Sequence, residues 1–389
     1  MQDEFSVNIT SCTAQDGVYH IAIDRDVIRA EGGGQAGEKG TIHSGSDTIK
    51  ITNTITLESG AMLIADAPVQ VGKEVTIKID MEWRLQMMRN HTAEHLFVSQ
   101  LKRINPDIDL GYIWIDGDAG TVEILGTTEI NQMFEVEKEV QLRINERHPI
   151  ISSLISPEEV TSKVRARDGV QTKHDQIRII KIEGVDESAC SGIHAINTSD
   201  IGVFKIQDIR IYDESTRVHF VTSKKAIELL AYVFNEALAR KQMYPFEMEQ
   251  LGMVLDKAKK TSESREHLMA LAVKLLAEDT RFETVNGIRF THLFLPGFDT
   301  RDLRMCLKAL PTHEKSATLL FSPGQKSSII FWVNGLSHPA SAYVSKIVEE
   351  MGGKGGGSKD SYTGGFGEAQ EPQVIYNKIV QMIRKNLVT

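Results

Sequence analysis

The sequence predicts an α+β fold in which a β-rich subdomain, a mixed α+β core, a helical arm and a C-terminal α/β domain follow one another. Segments rich in Val, Ile and Thr fill the N-terminal region, which is typical of strands. Apolar residues repeat every three or four positions after residue 223, which is typical of amphipathic helices. The 389 residues suffice for two or three domains, and we place the boundaries at 1–80, 81–222, 223–285 and 286–389.

The two N-terminal regions contain strands on either side of one long helix. The segments VYHIAID, TIKITNTITLE and EVTIKID are predicted strands, separated by Gly, Asp and Ser. A helix is predicted from about Glu82 to Arg103, and Asn105-Pro106 stops it. The strands GYIWID, GTVEILG, QIRIIKIEG and IGVFKIQDIRIYD follow, with a second helix around FEVEKEVQLRINER. This alternation indicates the α+β class for the first half of the chain.

The second half changes from helices to alternating elements. Two amphipathic helices, interrupted at Pro245, form the predicted arm. They are candidates for a contact in a homodimer, and packing on their own domain is an equally open interpretation. After Gly287 the strands THLFLPG, ATLLFSP and SSIIFWVNG alternate with the helical segments DLRMCLKAL and SAYVSKIVEEM, which predicts an α/β domain. We expect any homodimer to use the arm or this domain.

The composition excludes several classes of protein. A hydrophobic fraction of 41% and a charged fraction of 25% exclude a disordered or collagen-like chain. The three cysteines, Cys12, Cys190 and Cys306, are too few for a disulfide framework, which favours a reducing compartment. No apolar run approaches the roughly 20 residues that cross a bilayer, and the N-terminus lacks a signal-peptide pattern. We therefore expect a cytoplasmic protein with no membrane partner.

The net charge of −9 hides an asymmetry along the chain. Residues 1–220 carry 22 Lys and Arg against 35 Asp and Glu, a net charge of −13. Residues 221–280 are neutral, with 9 of each sign, and residues 281–389 carry 13 basic against 9 acidic residues, a net charge of +4. The mean charge argues against a nucleic-acid partner, but the C-terminal domain is mildly basic.

Two short segments carry side chains that suit a metal ion. His91 and His95 lie four residues apart in the predicted long helix, so both imidazoles project from one face. Cys190 and His194 have the same spacing in the segment SACSGIHAIN. Either pair alone occurs by chance, but together they form an N/N/S/N set suited to Zn²⁺. The sequence therefore predicts a zinc site in the 81–222 core.

The helical segment also fits a different kind of zinc enzyme. HTAEH matches the H-x-x-E-H signature of the inverzincin peptidases, in which Glu94 would serve as the base. A cysteine ligand is unlike the ligand set of those peptidases. We therefore favour the interpretation of Glu94 as a solvated helix residue.

A glycine-rich stretch, EGGGQAG, begins at Glu31 and contains the G-x-G-x-x-G spacing of dinucleotide sites. Such a site needs a helix to begin there, whereas a turn and a strand follow, so the dinucleotide interpretation fails. Backbone at Gly33 and Gly34 could still come close to a ligand, and Gln35 could offer an amide for hydrogen bonding. A plain tight turn is the alternative.

A second glycine-rich stretch, GGKGGGSKDSYTGGFGE, starts at Gly352 and lacks the G-K-[ST] of a P-loop. We interpret it as a flexible basic loop that approaches phosphates through backbone N–H groups, near Lys354, Gly355, Gly356 and Lys359. A flexible linker is the alternative, and its position inside a domain makes that interpretation weaker.

Together these motifs resemble those of the freestanding alanyl-tRNA editing proteins, the AlaX family, and of the editing half of alanyl-tRNA synthetase. HTAEHL is similar to the family's HxxxH helix, and CSGIH followed by NTSDIG is similar to its C-x-x-x-H motif and the tail after it. EGGGQ resembles the glycine-rich loop beside the zinc. GGKGGGSKDSYTGGF resembles the DHH-associated domain that ends the synthetase and the long AlaX form. The resemblance covers nearly the whole chain in order.

The resemblance implies a zinc-dependent hydrolase that deacylates alanine tRNA mischarged with serine or glycine. It implies that the metal ligands are His91, His95, Cys190 and His194. The substrate pocket would include Gln35, Gly33, Gly34, Asp26 and Glu94, and the tRNA contacts would include Lys354, Gly355, Gly356 and Lys359. Zn²⁺ could polarise the ester carbonyl, lower the pKa of a water, or orient the substrate.

The sequence departs from the family pattern at two places. Asp26 stands where the family has a Thr that senses the serine hydroxyl, and Ala30 replaces a Pro. Ser191 and Ile193 replace the usual Gly and Thr of the C-x-x-x-H motif. A carboxylate at Asp26 could pair with the ammonium group of the substrate, accept the serine hydroxyl, or be solvated. The preference between serine and glycine therefore stays open.

Two other functions stay open from the residues alone. A metallopeptidase predicts that Cys190→Ala keeps the metal and that Glu94→Gln abolishes activity. A non-catalytic RNA-binding protein could keep a structural zinc, because four protein ligands also suit a closed site. If the protein binds tRNA, as a hydrolase or as a non-catalytic protein, we expect residues 281–389 to bind the tRNA body. The acidic half of the chain would then contact only the 3′ end.

Overall fold

The computed structural model describes residues 2–57, 60–126, 128–161, 164–166 and 175–388 of the chain. It contains two compact units, Met1–Tyr244 and Pro245–Thr389. Strands and helices are mixed in both units, which confirms the predicted α+β class. Among the helices that the structure describes, none is long and apolar enough to cross a membrane.

The first unit begins with a closed six-stranded barrel in the order β1-β2-β5-β4-β3-β6, and β6 pairs with β1. Apolar and polar residues alternate along its strands, and the apolar side chains fill the interior of the barrel. In the last strand these are Val75, Ile77 and Ile79, which are buried. The predicted strands are confirmed as β2, β4 and β6, whereas the other three strands and the closure were not predicted. The strands are Glu4–Gln15, Val18–Ile23, Gly40–Ser44, Asp47–Leu57, Gly60–Ala65 and Glu74–Ile79.

The long helix α1 (Met81–Ile104) follows the barrel and confirms the predicted helix. Its N-cap is Asp80, whose carboxylate accepts a hydrogen bond from the Trp83 N–H at 2.9 Å. The helix is buried on almost every side from Gln86 to Leu101, and it contacts the second helix, α2 (Ile130–Asn145). Apolar side chains of both helices and of the neighbouring sheet form one core around Phe97. This helix therefore holds its polar side chains inside the protein.

Two antiparallel sheets complete the core of the first unit. One has the order β12-β13-β8-β7 and the other the order β11-β10-β9. The chain leaves the short strand β11 into the loop that carries Cys190 and His194, so the second sheet positions that loop. The strands are β7 Asp109–Ile115, β8 Gly120–Leu125, β9 Ile150–Ile155, β10 Ile177–Ile182, β11 Asp186–Ala189, β12 Phe204–Ile211 and β13 Ser215–Thr222.

The predicted helical arm consists of two helices, one in each unit. Helix α3 (Ser223–Lys241) ends the first unit, and helix α4 (Leu251–Glu278) begins the second. The break lies at Tyr244 and Pro245, where the sequence predicts an interruption. The homodimer contact predicted for this region stays a prediction.

The second unit is a six-stranded sheet in the order β14-β15-β16-β17-β19-β18 with helices packed on it. Strands β15 and β16 are parallel and the other pairs are antiparallel. The strands are Glu283–Val285, Ile288–Phe294, Ser316–Ser322, Ser327–Asn334, Lys354–Gly357 and Ser361–Phe366. Helices α5 (Thr300–Ala309), α6 (Ala340–Glu350) and α7 (Pro372–Val388) accompany them.

The second glycine-rich stretch is not a flexible loop, which corrects the prediction. Strands β18 and β19 form a paired hairpin at the edge of the sheet. Glycine is required there by close packing, since a Cβ at Gly355 would lie 2.3 Å from the hydroxyl oxygen of Tyr362. At Gly356 an added Cβ would meet open space. Strand hydrogen bonds therefore order a segment whose composition is typical of a loop.

Candidate metal centre

The four predicted ligands lie together in the first unit. His91 and His95 project from the middle of α1, and Cys190 and His194 come from the loop after β11. The Sγ atom of Cys190 lies 3.4 Å from Nε2 of His91 and 3.3 Å from Nε2 of His194. One donor atom from each of the four residues lies within 4.8 Å of the others. These four donors can therefore hold one metal ion.

Each histidine of the cluster is held from behind through its Nδ1 atom. The Nδ1 atom of His91 lies 2.8 Å from Oε1 of Gln35. The Nδ1 atom of His95 lies 3.0 Å from a carboxylate oxygen of Asp186. The Nδ1 atom of His194 lies 3.3 Å from the hydroxyl of Thr92. Contacts of this kind fix the ring orientation and tautomer of metal-binding histidines, and here they use Nδ1, so that Nε2 is the nitrogen on the side of the cluster.

The electrostatics favour the protonation states that a metal site needs. Burial opposes ionisation of Cys190, but the charge of His91 and hydrogen bonds from His194 and His91 hold the pKa of the thiol well below its usual range. Burial and the charges of His91 and His95 lower the pKa of His194. The centre therefore offers a thiolate and a neutral imidazole before any metal binds.

Asp186 and His95 form a buried pair beside the cluster. Burial opposes ionisation of Asp186, but the hydrogen bond from His95 and the charge of Arg165 hold the pKa of its carboxyl well below the usual range. Burial would lower the pKa of His95, but hydrogen bonds to Asp186 and Cys190 raise it to about 9. In the metal-free protein the proton therefore stays on His95 at neutral pH.

Glu94 is not a solvated helix residue, which corrects the sequence interpretation. Its side chain is 2% exposed, and an oxygen of its carboxylate lies 3.5 Å from a guanidinium nitrogen of Arg165. The other oxygen lies 3.7 Å from Nε2 of His95. The reason is long-range packing, because residues of the later strands β7 and β11 line the same cavity as Glu94 and Arg165 pairs with its carboxylate.

The first glycine-rich loop is part of the metal centre. Oε1 of Gln35 accepts hydrogen bonds from His91 and, at 2.9 Å, from the backbone N–H of Ile193. The Gly34 carbonyl accepts from the Ile115 N–H at 2.8 Å, which ties the loop to the end of β7. Gln35 is 1% exposed, and its Nε2 has no hydrogen-bond partner in the described part of the chain. Gln35 therefore joins both ligand segments and keeps one buried donor for a ligand of the site.

The ligand loop approaches α1 so closely that only glycine fits at Gly192. A Cβ there would lie 2.0 Å from Cε1 of His91 and 2.8 Å from Oε1 of Gln35. The glycine of the CSGIH segment therefore has a packing role between two polar side chains of the centre.

Two arginines that the sequence analysis missed hold the carbonyl groups of the same loop. Arg178 donates to the carbonyls of Cys190 at 3.2 Å and Gly192 at 2.5 Å, and Arg29 donates to the carbonyl of Ser191. Three consecutive carbonyls therefore point to guanidinium groups. Arg178 lies between apolar residues of the segment IRIIKI. A charged residue inside an otherwise apolar strand is the feature of the sequence that could have identified it.

Two clefts open beside the four ligands. The larger, which we call the arginine cleft, has a volume of about 680 Å³ and is lined by Asp26, Arg29, Glu38, Arg84, Arg178 and His194, among others. The smaller, which we call the glutamate cleft, has a volume of about 330 Å³ and is lined by Gly33, His91, Glu94, His95, Arg165 and Cys190, among others. The predicted pocket residues are therefore divided, with Asp26 in one cleft and Gly33 and Glu94 in the other.

The predicted tRNA contacts belong to the second unit. Lys354, Gly355 and Gly356 lie on the exposed edge strand β18, and Lys359 lies in the exposed turn after it. Strand β18 is the outer strand of the sheet, so one side of its backbone has no neighbouring strand in the described part of the chain.

The partners of the ligands were not found from the sequence. Thr92 lies inside the HTAEH motif, and Asp186 lies four residues before Cys190, so both are near the predicted ligands in the chain. Metal-binding histidines usually bond to a carboxylate, hydroxyl or carbonyl behind the ring. A carboxylate or hydroxyl close to each ligand segment in the sequence is therefore the signal that points to these partners.

Comparison with known proteins agrees with this site. Residues 177–222, which include Cys190 and His194, match the family described as the threonyl and alanyl tRNA synthetase second additional domain. The chain is 25% identical to the alanyl-tRNA editing protein AlaX-L of Pyrococcus horikoshii, over 99% of this chain and 96% of that protein. The resemblance to the editing proteins therefore extends over nearly the whole chain.

Larger proteins and a solved structure also match. The alanine–tRNA ligase of Ignicoccus hospitalis is 27% identical over 88% of this chain, which spans only 38% of that ligase. The crystal structure of the C-Ala domain from Aquifex aeolicus alanyl-tRNA synthetase covers 28% of this chain and 99% of its own, with 19% identity and a TM-score of 0.25.

Proposed function

We propose that this protein is a zinc-dependent hydrolase that removes serine or glycine from mischarged alanine tRNA. The observation that carries the proposal is the grouping of three histidine rings and the Cys190 Sγ within 4.8 Å, with the Nδ1 atom of each ring bonded to another residue. The similarity to an alanyl-tRNA editing protein over 99% of the chain supports the reaction and the substrate class.

Zn²⁺ is the ion that this donor set favours. One thiolate and three imidazole nitrogens suit a borderline-soft ion with tetrahedral coordination. The ligands would be His91, His95, Cys190 and His194, with Gln35, Asp186 and Thr92 behind the imidazoles. When bound, Zn²⁺ supplies Lewis acidity toward an ester carbonyl.

The residues of the chain would orient the substrate around this centre. The unpartnered Nε2 of Gln35 offers a hydrogen bond to an oxygen of the ester. The glutamate cleft contributes the backbone of Gly33 and the carboxylate of Glu94, and the Gly34 carbonyl holds the loop in place. We propose that Asp26 influences the choice between serine and glycine from the arginine cleft. Asp26→Thr, assayed on seryl- and glycyl-tRNA, tests this role, and an unchanged preference removes Asp26 from it.

The second unit would hold the body of the tRNA. The proposed contacts are the backbone at Gly355 and Gly356 and the side chains of Lys354 and Lys359, all exposed on the edge hairpin. Residues 281–389, which make up most of this unit, carry a net charge of +4, whereas residues 1–220 carry −13. Phosphate contacts would therefore come mainly from the second unit.

The test is deacylation of alanine tRNA carrying radiolabelled serine or glycine, with correctly charged alanyl-tRNA for comparison. We expect release of serine or glycine well above the rate for alanine, and loss of both metal and activity in Cys190→Ala. Cys12→Ala, in the barrel, is the matched control and should keep both. Binding of tRNA without any deacylation would instead favour an RNA-binding protein with a structural metal. Metal retention in Cys190→Ala with loss of activity in Glu94→Gln would favour a peptidase-type centre.

A further inference from the structure

Two of the three arginines that line the arginine cleft form no ion pair with a carboxylate among the described residues. Arg84 is paired with the buried carboxylate of Glu38 through two hydrogen bonds. Arg29 and Arg178 have a different environment, because in the described part of the chain their side chains donate only to neutral oxygens. Arg29 donates to the Ser191 carbonyl, and Arg178 donates to two carbonyls and to the hydroxyl of Ser152. Both guanidinium groups are therefore held in place by neutral oxygens, without a carboxylate bonded to either.

The two guanidinium groups lie at the same cleft. Both arginines line it, and they donate to neighbouring carbonyls of the ligand loop, Arg29 to Ser191 and Arg178 to Gly192. Among the described residues, Nη2 of Arg178 and Nε of Arg29 make no hydrogen bond, so both groups keep donors for a ligand. Two adjacent cations with free N–H groups in a cleft favour an anion, and guanidinium geometry suits phosphate.

The position of the cleft determines which phosphate would reach it. Arg29 and Arg178 hold the loop that carries Cys190 and His194, and His194 itself lines the cleft. A volume of about 680 Å³ lies within the range of small-molecule sites and accommodates a nucleotide. If an ester on the terminal ribose lies at the metal centre, the 5′ phosphate of the same nucleotide lies one ribose away from it.

We propose that Arg29 and Arg178 bind the last phosphodiester of an RNA 3′ end in the arginine cleft. This subsite deepens the proposed function, since it places the terminal nucleotide in the cleft beside the metal centre. The first unit is acidic overall, and this subsite gives it a local site for phosphate. The 3′ end of the RNA would then be bound through its phosphate as well as through the ester group at the metal centre.

The test uses a fluorescein-labelled single-stranded oligoribonucleotide that ends in CCA and a second one with a neutral methylphosphonate at the last linkage. Binding is followed by fluorescence anisotropy at several salt concentrations. We expect the native linkage to bind the wild-type protein about tenfold more tightly than the neutral one, the effect of one charge-assisted contact. Arg29→Gln should abolish this difference and reduce the salt slope by about 0.7. Arg29→Lys, which keeps the charge, should retain most of both.

The matched control is Arg210→Gln, which removes one exposed positive charge of β12 far along the chain from the cleft residues. It should keep the tenfold difference. Equal binding of the two oligonucleotides by the wild-type protein would overturn the proposal, as would an Arg29→Gln variant that keeps its metal and still distinguishes them.

Arg29→Gln could lose its metal, because Arg29 also holds the Ser191 carbonyl of the ligand loop. In that case a second variant tests the phosphate subsite. Asp26→Asn removes a negative charge from the same cleft, and among the described residues the Asp26 side chain forms no hydrogen bond or ion pair with the ligand loop. It should tighten binding of the native oligonucleotide several-fold and leave the neutral one unchanged, and equal effects on both would refute the subsite. Oligonucleotide binding needs no hydrolysis, so a protein that fails to deacylate tRNA but distinguishes the two linkages loses only the proposed function.

Discussion

The side-chain oxygen of Gln35 lies 2.8 Å from Nδ1 of His91, and this contact joins a loop of the barrel region to the central helix. Because the amide oxygen only accepts hydrogen bonds, Nδ1 must donate the proton of this contact, and Nε2 is the ring nitrogen left to bind a metal ion. That nitrogen faces the Sγ of Cys190 at 3.4 Å. A residue with no bond to the metal thereby sets the tautomer of one that would bind it.

The first prediction concerns this contact. Gln35→Ala removes the acceptor for His91 and leaves the Ile193 N–H without its partner. We expect the affinity for Zn²⁺ to fall about 10–100-fold, the usual effect of losing such a partner. Competition with a chromogenic chelator measures it. Gln35→Glu keeps an acceptor oxygen and should retain most of the affinity, and equal affinities for the wild-type and alanine proteins would contradict the role.

The second prediction concerns the proton on His95. Its pKa of about 9 means that a metal ion must displace this proton at neutral pH. The affinity for the metal should therefore rise about tenfold for each pH unit below about pH 9. Above that pH His95 is neutral, and the affinity should no longer depend on its proton. Calorimetry in buffers of different ionisation enthalpy should show about one proton released per ion bound near pH 7.5.

The source of that proton can be checked with Asp186→Asn. Loss of the carboxylate weakens the hydrogen bond that contributes most to raising the pKa of His95, so fewer protons should be released near pH 8. The same variant should bind the metal more weakly, because the ring of His95 is less firmly held. Asp208→Asn, an exposed carboxylate on β12, is the control and should behave like the wild-type protein. Unchanged proton release in Asp186→Asn would show that the proton comes from another group.

The third prediction concerns packing within the centre. In Gly192→Ala the new methyl group would lie 2.0 Å from Cε1 of His91, so the ligand loop must move. We expect at least tenfold weaker metal binding and a loss of about 1–3 kcal/mol in the free energy of unfolding. Gly32→Ala is the matched control, because a Cβ there has no atom within 4 Å and the backbone does not need glycine. Measurements are metal content and thermal unfolding, and a fully metal-loaded Gly192→Ala protein would contradict the packing role.

The four ligands could be predicted because their signal is local. Helix periodicity places His91 and His95 on one face, and the same spacing links Cys190 to His194. The partners behind the rings depend on contacts between distant segments, such as Asp186 of β11 with His95 of α1. No spacing in the chain encodes these contacts, so the sequence predicts four candidate ligands, which the structure brings together, and misses the residues that hold them.

The errors at Glu94 and at the C-terminal hairpin have physical reasons. A glutamate in a helix is normally solvated, but α1 is buried on almost every side and Arg165 compensates the charge. Strand prediction relies on alternating side chains, which the segment KGGG lacks. Its pairing with β19 is made by backbone groups alone, so the glycines look like a loop in the sequence and form a strand in the protein.

The last prediction concerns which of the two units binds the phosphates of tRNA. Lys354 and Lys359 are exposed on the edge hairpin of the basic second unit. If they contact tRNA phosphates, Lys354→Gln with Lys359→Gln should weaken tRNA binding and lower the slope of log affinity against log salt by about 1 per lost contact. Lys308→Gln, an exposed lysine of α5, is the control for a general loss of charge. Because these lysines lie in a different unit from the ligands, metal affinity should be unaffected. An unchanged salt slope in the double variant would place the phosphate contacts elsewhere, and a parallel loss of metal would show that the substitutions act through the fold instead of through RNA.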